Sequence, residues 1–401
     1  MAPALRVLSV AHTAVSRAAG RLRYHPLAQD SSVTVKLVVP SRWYQFGRWL
    51  EAEPPTDPGI QVAPLPVRMH HAGPASWYLH VYPGLRREIR DFAPDVIHLW
   101  EEPWSLVALH ATLLARRYRT ALVFEVDQNI LKRLPAPFEW IRRYVLRRTD
   151  LILARSNDAT AVVRACGYTG PAMPIGYGVD ESVFRPAGER AHNTRLQLGY
   201  VGRLVVEKGL DDVVDALAQA RSDVAFTILG EGPHEAALRA RATTAGVADR
   251  IVFRPWAEPE QVAEFLRGLD VLVLPTRTTP SVREQFGRVI IEAQACGTPV
   301  IGSTSGAIPD VIGAGGWVIP ECDPVALADL LDRLAANPSE VAACRTAGLA
   351  NVVSRFTYDA VAADLARGWH AANVAHNARR RRNGDSAAHP TRHPSAESAN
   401  P

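Results

Sequence analysis

Short apolar runs alternate with amphipathic stretches along almost all of this chain, and the alternation runs through twice. In the first half the apolar runs are residues 5–10, 33–39, 96–99, 121–124 and 151–154. They read as strands covered on both faces, the pattern of a parallel sheet. Helical periodicity fills the gaps, as at 105–117 and 138–148. The second half repeats the theme with runs at 198–201, 224–229, 251–253, 271–274 and 299–301. Its intervening helices are expected at 210–220, 233–245, 259–269 and 289–295. Right-handed crossovers turn such alternation into doubly wound α/β sheets, with helices on both faces. At 401 residues the chain exceeds what one core organises, so two Rossmann-like domains are expected.

The expected division is a first domain at 1–175, a linker at 176–190 and a second domain at 191–356. The linker (GYGVDESVFRPAGER) combines glycine, proline and charge. A helix at 357–374 follows, and then a disordered basic tail at 375–401, which lacks any periodicity.

Cysteine usage narrows the class. Cys166, Cys296, Cys322 and Cys344 lie far apart with no Cys-x-x-Cys pair. That excludes a disulfide scaffold and a zinc ribbon, and a cytoplasmic, reducing setting fits. No apolar run approaches the ~20 residues that span a bilayer. The opening residues form only a short apolar stretch without a cleavage pattern, so they read as a first strand and not as a signal peptide.

Candidate chemistry concentrates in the second half. The run 198–201 ends in Gly202-Arg203, and Glu207-Lys208-Gly209 follows just before a helix. Ligands of doubly wound sheets bind at strand carboxyl ends. An arginine and a lysine five residues apart there suit a diphosphate, one as a fork of donors and one as a mobile point charge. Lysine occurs only at Lys36, Lys132 and Lys208 in a chain with 45 basic residues, which makes Lys208 an unusual choice for a plain solvated loop. Gly230-Glu231-Gly232-Pro233 marks a second strand-to-helix turn where backbone can approach a ligand closely; alone, it is an ordinary turn. Further on, Glu284 precedes Gln285-Phe286-Gly287, and Glu292 follows two turns into the helix that starts there. A helix N-terminus favours phosphate, and carboxylates accept hydrogen bonds from sugar hydroxyls.

Taken in order, these pieces resemble the donor-nucleotide domain of retaining glycosyltransferase family 4, within the GT-B fold. The matching residues are Gly202-Arg203, Glu207-Lys208-Gly209, Gly230-Glu231-Gly232-Pro233, the E-x7-E element Glu284 and Glu292, and Ala293, Gly297, Thr298, Pro299 and Val300 after it. At the linker Tyr177-Gly178-Val179-Asp180 is similar to a family motif that usually opens with asparagine. The resemblance covers about 175 residues. It implies that Arg203 and Lys208 hold the donor diphosphate and stabilise the leaving nucleoside diphosphate, so that no divalent metal and no cofactor is needed. Glu292 would accept the ribose hydroxyls. Glu284 would contact the donor sugar, helped by backbone N–H groups near Phe286 and Gly287. The sugar, moved from a UDP or GDP donor to an acceptor hydroxyl, would keep its anomeric configuration, with the donor phosphate taking the acceptor's proton. The 357–374 helix would cross back to the first domain, as in family members.

The first half matches less closely. Where many members place a histidine near the donor sugar, this chain has Glu125. Glu101, Glu102, Glu125 and Asp127 sit at expected strand ends facing the cleft, where they could bind acceptor hydroxyls or assist proton transfer. Of these, Glu102 and Glu125 are the catalytic candidates; Asp127 equally suits a helix cap. The first strand's loop, from His12 to Arg17, lacks the family's paired glycines. His98 reads as a strand-end histidine. Two rival functions share the architecture: a nucleotide-sugar 2-epimerase-like isomerase, and a non-catalytic nucleotide-sugar binding protein.

The acceptor is a glycan, a glycolipid or a small molecule. Residues 131–148 combine six basic side chains with Phe138, Trp140, Ile141, Tyr144 and Val145. That composition suits either a helix packed on the sheet or a peripheral contact with the inner face of a membrane. The aromatic set Trp43, Tyr44, Phe46, Trp49, Trp77 and Tyr78 suits an acceptor groove or an irregular core. The net charge of +4 is uneven: +7 over 1–190, −6 over 191–374 and +3 beyond. A basic half beside an acidic one argues against nucleic acid as the partner.

Overall fold

The structure is a computed structural model and describes residues 3–45, 48–70, 76–186, 188 and 195–382. Nine strands build the first half: β1 (Leu5–Ala11), β2 (Val33–Pro40), β3 (Arg42–Gln45), β4 (Arg48–Glu51), β5 (Gln61–Leu65), β6 (Val96–Trp100), β7 (Ala121–Val126), β8 (Leu151–Ala154) and β9 (Ala172–Pro174). Seven of them form one sheet in the order β5-β2-β1-β6-β7-β8-β9, every pair parallel. β3 and β4 pair separately as an antiparallel hairpin. The second sheet comprises β10 (Leu196–Val201), β11 (Val224–Leu229), β12 (Ile251–Arg254), β13 (Val271–Leu274), β14 (Val300–Ser303) and β15 (Gly316–Ile319). Its order is β12-β11-β10-β13-β14-β15, again all parallel.

The ten anticipated apolar runs are all strands, and β6, β7, β8, β13 and β14 are buried along their whole length. The unanticipated β5, β9 and β15 are sheet edges. Each is short and contains proline or glycine, because an edge strand needs neither a full ladder nor two apolar faces.

Both sheets reverse winding direction once, between β1 and β6 and between β10 and β13. Such switch points open a crevice at the carboxyl ends of the strands, where ligands of these folds bind.

Two differences from the expectation have physical causes. β7 does not stop at Phe124 but runs to Val126, so Glu125 lies within the strand, buried. Arg23 and Arg155 make this tolerable by flanking its carboxylate. The C-terminal helix does not stop near 374 either; it spans Tyr358–Arg382. Helix-forming alanine and arginine continue it, and His376 and Arg379 fasten its end to Asp150 of the first sheet. Residues 375–382 of the expected tail are thus helical, while 383–401 lie outside the described residues. This helix buries Val361, Leu365 and Trp369 in one cluster with Val7, Val35, Val123 and Leu153, sealing a face of the first sheet. The chain crosses between the sheets twice, and the crossings touch: Val179 N–H donates to Phe356 O at 2.8 Å.

Candidate active site

At the second switch point two glycine loops are zipped together. The N–H of Gly202 donates to Leu229 O (3.1 Å), Leu204 N–H to Glu231 O (2.9 Å) and His234 N–H to Leu204 O (3.0 Å). Gly230 has φ +147°, and a Cβ there would lie 2.0 Å from Gly202 O. A Cβ at Gly232 would meet Leu204 O at 2.2 Å. Glycine is therefore required by the neighbouring loop as much as by any ligand. The side chains of Arg203 and Glu231 are both exposed; the Glu231 carboxylate lies 3.5 Å from the N–H of Trp256.

Lys208 ends a short turn that packs against the loop after β13, with Arg277 N–H donating to Glu207 O at 2.8 Å. Its ammonium donates to Glu284 Oε2 at 2.6 Å, and Thr276 Oγ1 donates to the same oxygen at 3.1 Å. Glu284 is fixed from behind as well: Ala307 N–H donates to its carbonyl at 3.1 Å. Gly287, with φ +80°, turns the chain into the helix Arg288–Ala295. Glu292 lies just over one turn along that helix, half-buried. Burial pushes its carboxyl up, with Arg288 opposing. The Phe286 ring is buried between Tyr177 and Phe356, edge-on to both, so only its backbone is left for a ligand. Thus the structure brings Lys208 and Glu284 into contact and lays the glycine loops beside them.

In the first domain the expected carboxylates separate into different roles. Glu125 does not face the cleft; Arg23 grips it with two bonds (2.6 and 2.9 Å) and Arg155 pairs with it from the other side. It is a buried counter-ion between two guanidiniums, out of reach of a substrate. Asp127 caps no helix. It accepts from Trp100 Nε1 (3.1 Å), Arg155 Nε (2.9 Å) and the Tyr177 hydroxyl (3.2 Å). His98 is buried against Ser9 (3.0 Å), and burial together with the charges of Arg23 and Arg155 drives its pKa well down. Glu102 remains half-buried at the strand end, accepting from the N–H groups of Asp127 and Gln128. Burial and the Asp127 charge raise it to about 7, against the pull of those two bonds.

Sequence reasoning missed His12. It follows β1, and its ring Nδ1 lies 2.8 Å from Glu101 Oε1, which also accepts the His12 N–H at 3.1 Å. His80 Nε2 lies 3.7 Å from the same oxygen. Burial opposes charge on Glu101, but the two histidines overcome it and hold its pKa at about 2. Burial likewise opposes charge on His12, and Glu101 overcomes it, so the ring's pKa is raised. Trp43 stacks on His70 (3.8 Å) and lies tilted against His12 (4.7 Å). Of the other aromatic candidates, Tyr44 and Trp49 meet edge-on and Tyr78 lies against Trp104 and Phe138. Phe46 and the Trp77 side chain lie outside the described residues. Among the described residues no group of three or more His, Cys, Asp or Glu side chains is placed to hold a metal ion.

The lobes meet along the cleft. Asn129 Nδ2 donates to the carbonyls of Arg283 and Glu284, Gln285 Nε2 donates to Asp127 O at 3.2 Å, and Arg283 pairs with Asp158.

Comparison with known proteins agrees with this architecture. The family model described as "Glycosyl transferases group 1" matches residues 185–350, and that described as "Glycosyltransferase Family 4" matches residues 33–183. A GDP-mannose-dependent monoacylated alpha-(1-6)-phosphatidylinositol monomannoside mannosyltransferase of Corynebacterium glutamicum is 35% identical over 45% of this chain and 51% of its own. The 2-deoxystreptamine N-acetyl-D-glucosaminyltransferase of Streptomyces fradiae is 30% identical over 67% of this chain and 72% of its own. For several curated relatives the chain spans only about half of their length. Among solved structures, Anabaena HepE in complex with UDP superposes with a TM-score of 0.66 over 90% of this chain and 99% of its own, at 16% identity; the likeness is one of fold. Two parallel-sheet lobes, a glycine-lined switch point and both halves of the sequence match point the same way: the chain belongs to glycosyltransferase family 4, of the GT-B fold.

Proposed function

We propose that this protein transfers a glycosyl group from a nucleoside diphosphate sugar to an acceptor hydroxyl, with retention of configuration and without a metal ion. The observation that carries this reading is the Lys208–Glu284 contact of 2.6 Å beside the zipped glycine loops. A diphosphate arriving there takes Lys208 as its counter-ion, with Arg203 swinging in from its exposed position, and Glu284 is released to the hydroxyls of the donor sugar. Gly202, Gly230 and Gly232 leave backbone close to the nucleotide, with Glu231 at the rim, and Glu292 accepts the ribose hydroxyls. The backbone at Phe286 and Gly287 meets the sugar at the start of a helix, where developing negative charge is favoured. Leaving-group charge then falls on the cations of Lys208 and Arg203, which is why no metal is invoked.

The donor nucleoside is uridine or guanosine, in keeping with a GDP-mannose-dependent relative and a UDP-bound structural neighbour. The acceptor is a glycan, a glycolipid or a small polyol docking on the first lobe. Peripheral contact with an anionic membrane fits the helix Ala136–Leu146, which buries Ile141 and Val145 yet leaves Trp140 59% exposed. Helices of this kind lie in the bilayer interface. No helix of the described residues is long and apolar enough to cross a membrane.

Thermal denaturation across a panel of nucleoside diphosphate sugars tests the donor assignment. A true donor at a hundred times its Kd adds about 2.7 kcal/mol of stability. Addition of EDTA leaves turnover unchanged; loss of activity that magnesium restores would refute the metal-free reading.

A further inference from the structure

The helix Ala136–Leu146 and the turn after it carry more charge than packing on the sheet requires. The apolar stripe of Ile141, Val145 and Leu146 is buried. Glu139, Arg142, Arg143 and Arg147 recur at intervals of three and four residues, so they share a second stripe. The segment 131–134 runs beside that stripe, fastened by the bond from Arg142 Nη1 to Lys132 O (3.3 Å). Between the two lies a cavity of about 630 Å³, with Cys166 among its walls.

Lys132, Arg133, Arg142, Arg143 and Arg147 line the cavity against one carboxylate, that of Glu139. Both oxygens of Glu139 are already engaged, by Arg143 Nε (2.9 Å) and by Arg142 Nη2. Lys132, Arg133 and Arg147 are exposed and have no ion pair among the described residues. Arg142 is the member that points to a ligand. Its side chain is 8% exposed, and its Nε finds no acceptor among the described residues. Buried donors are nearly always satisfied, and the oxygen of an anion satisfies this one.

The rim narrows the kind of anion. Leu131 is 55% exposed and Trp140 59%. The Trp140 ring stacks on Tyr144 (5.2 Å), and the Arg148 guanidinium lies 3.7 Å from the centre of the Tyr144 ring. Large apolar side chains beside a cationic pocket suit the boundary between lipid headgroups and acyl chains. A small anion taken from water has no use for them.

The geometry points to a binding site for the phosphate of an anionic membrane lipid, seated between the segment 131–134 and the flank of the helix Ala136–Leu146. Arg142 and Arg143 meet the phosphate oxygens as forks of donors and Lys132 as a point charge, while Leu131 and Trp140 enter the acyl boundary. The site rests on the peripheral contact named above, which it turns from a general attraction into a defined pocket, and it does not depend on the transfer chemistry. Its place in the chain gives it a use. Two residues before Leu131, Asn129 donates to the carbonyls of Arg283 and Glu284. A lipid phosphate held here brings the bilayer close to the loop that joins the lobes, so an acceptor anchored in the same bilayer has a short path to the cleft.

The full chain is sedimented with vesicles of phosphatidylcholine alone and with vesicles of equal parts phosphatidylcholine and phosphatidylglycerol, and inorganic phosphate is titrated separately by calorimetry. The wild type binds the mixed vesicles and not the neutral ones. Arg133→Gln combined with Arg147→Gln lowers that binding about ten-fold or more. Arg381→Gln combined with Arg382→Gln removes equal charge from the end of the C-terminal helix and changes binding less than about two-fold, since charges beyond a Debye length of the bilayer are screened. Arg142→Gln matches the loss of the first pair at an unchanged melting temperature; if it destabilises the fold, the exposed first pair carries the test alone. Equal losses in the two pairs would reduce the contact to net charge and overturn the site, as would equal or absent binding of the wild type to both vesicles. Saturable binding of inorganic phosphate, lost in Arg142→Gln while mixed vesicles go unbound, would assign the pocket to a soluble anion and overturn the lipid. Nucleoside diphosphate binding stays at the wild-type level in every variant; a wild type that binds no nucleoside diphosphate sinks the transferase reading and leaves this site standing.

Discussion

Asn129 of the first lobe donates from Nδ2 to the backbone carbonyl of Glu284 on the second, 3.0 Å away. The same amide reaches the Arg283 carbonyl at 3.2 Å. One buried side chain therefore spans the cleft and fixes the loop that presents Glu284. Two neutral hydrogen bonds contribute roughly 0.5–1.5 kcal/mol each. Asn129→Ala is expected to lower kcat/KM by roughly ten-fold with little change in melting temperature, since each lobe keeps its own core. Steady-state rates alongside a thermal melt check this, and unaltered rates would show that closure does not depend on the amide.

Lys208 and Glu284 answer to a different logic. Their pair is partly open to water, with side chains 24% and 14% exposed, so it contributes little to stability. Removing a cation from the site of leaving-group charge typically costs 10²–10³-fold in rate. Lys208→Ala and Glu284→Ala should each abolish measurable turnover while circular dichroism and the melting temperature stay near wild type. Full activity in both variants would refute the donor site.

Glu125 is predicted to matter for folding. Replacing one member of a buried ion pair leaves the others uncompensated, at about 3–5 kcal/mol. Glu125→Gln leaves Arg23 and Arg155 facing each other across a neutral amide, and a marked loss in urea midpoint is expected. The fraction that folds should retain near-normal kcat. A stable Glu125→Gln protein with collapsed kcat would restore the catalytic role that its strand-end position suggests in the sequence.

The two halves of the site were unequally legible for a physical reason. Arg203, Lys208, Gly230 and Gly232 follow recognisable strand ends, and Glu284 and Glu292 flank the start of one helix, so local pattern announces them. His12 and Glu101 are 89 residues apart and meet because β1 and β6 are neighbours in a parallel sheet, which no local pattern encodes. Glu125 misled because an apolar run that ends in a carboxylate looks like a strand that has stopped. The arginines that let β7 continue come from distant segments, one near position 23 and one just after β8. The helix beyond 374 was likewise hidden, since its anchor, Asp150, lies far back in the chain.

Glu102 supplies a prediction in pH. Its folded pKa of about 7 lies above the ordinary value of 4.5. Between those values the native state holds a proton that the unfolded chain releases, so this group's contribution to stability falls as pH rises through the interval. Glu102→Gln should remove that decline, gaining on the wild type at pH 8 relative to pH 4.5. Urea unfolding at both pH values measures the difference. A constant gap between the two proteins across that range would place the Glu102 pKa near 4.5.

The bond between Val179 and Phe356, with the Val179–Thr357 bridge beside it, has a mechanical consequence. A lobe tethered by a single peptide segment is free to tumble about it in any direction. Two segments laced side by side behave as a door hung on two pins: sliding and twisting are stopped, and one swing remains. Each closing then carries the same wall of one lobe onto the same loop of the other. Registry across the cleft is thereby inherited from the path of the chain, before any substrate arrives.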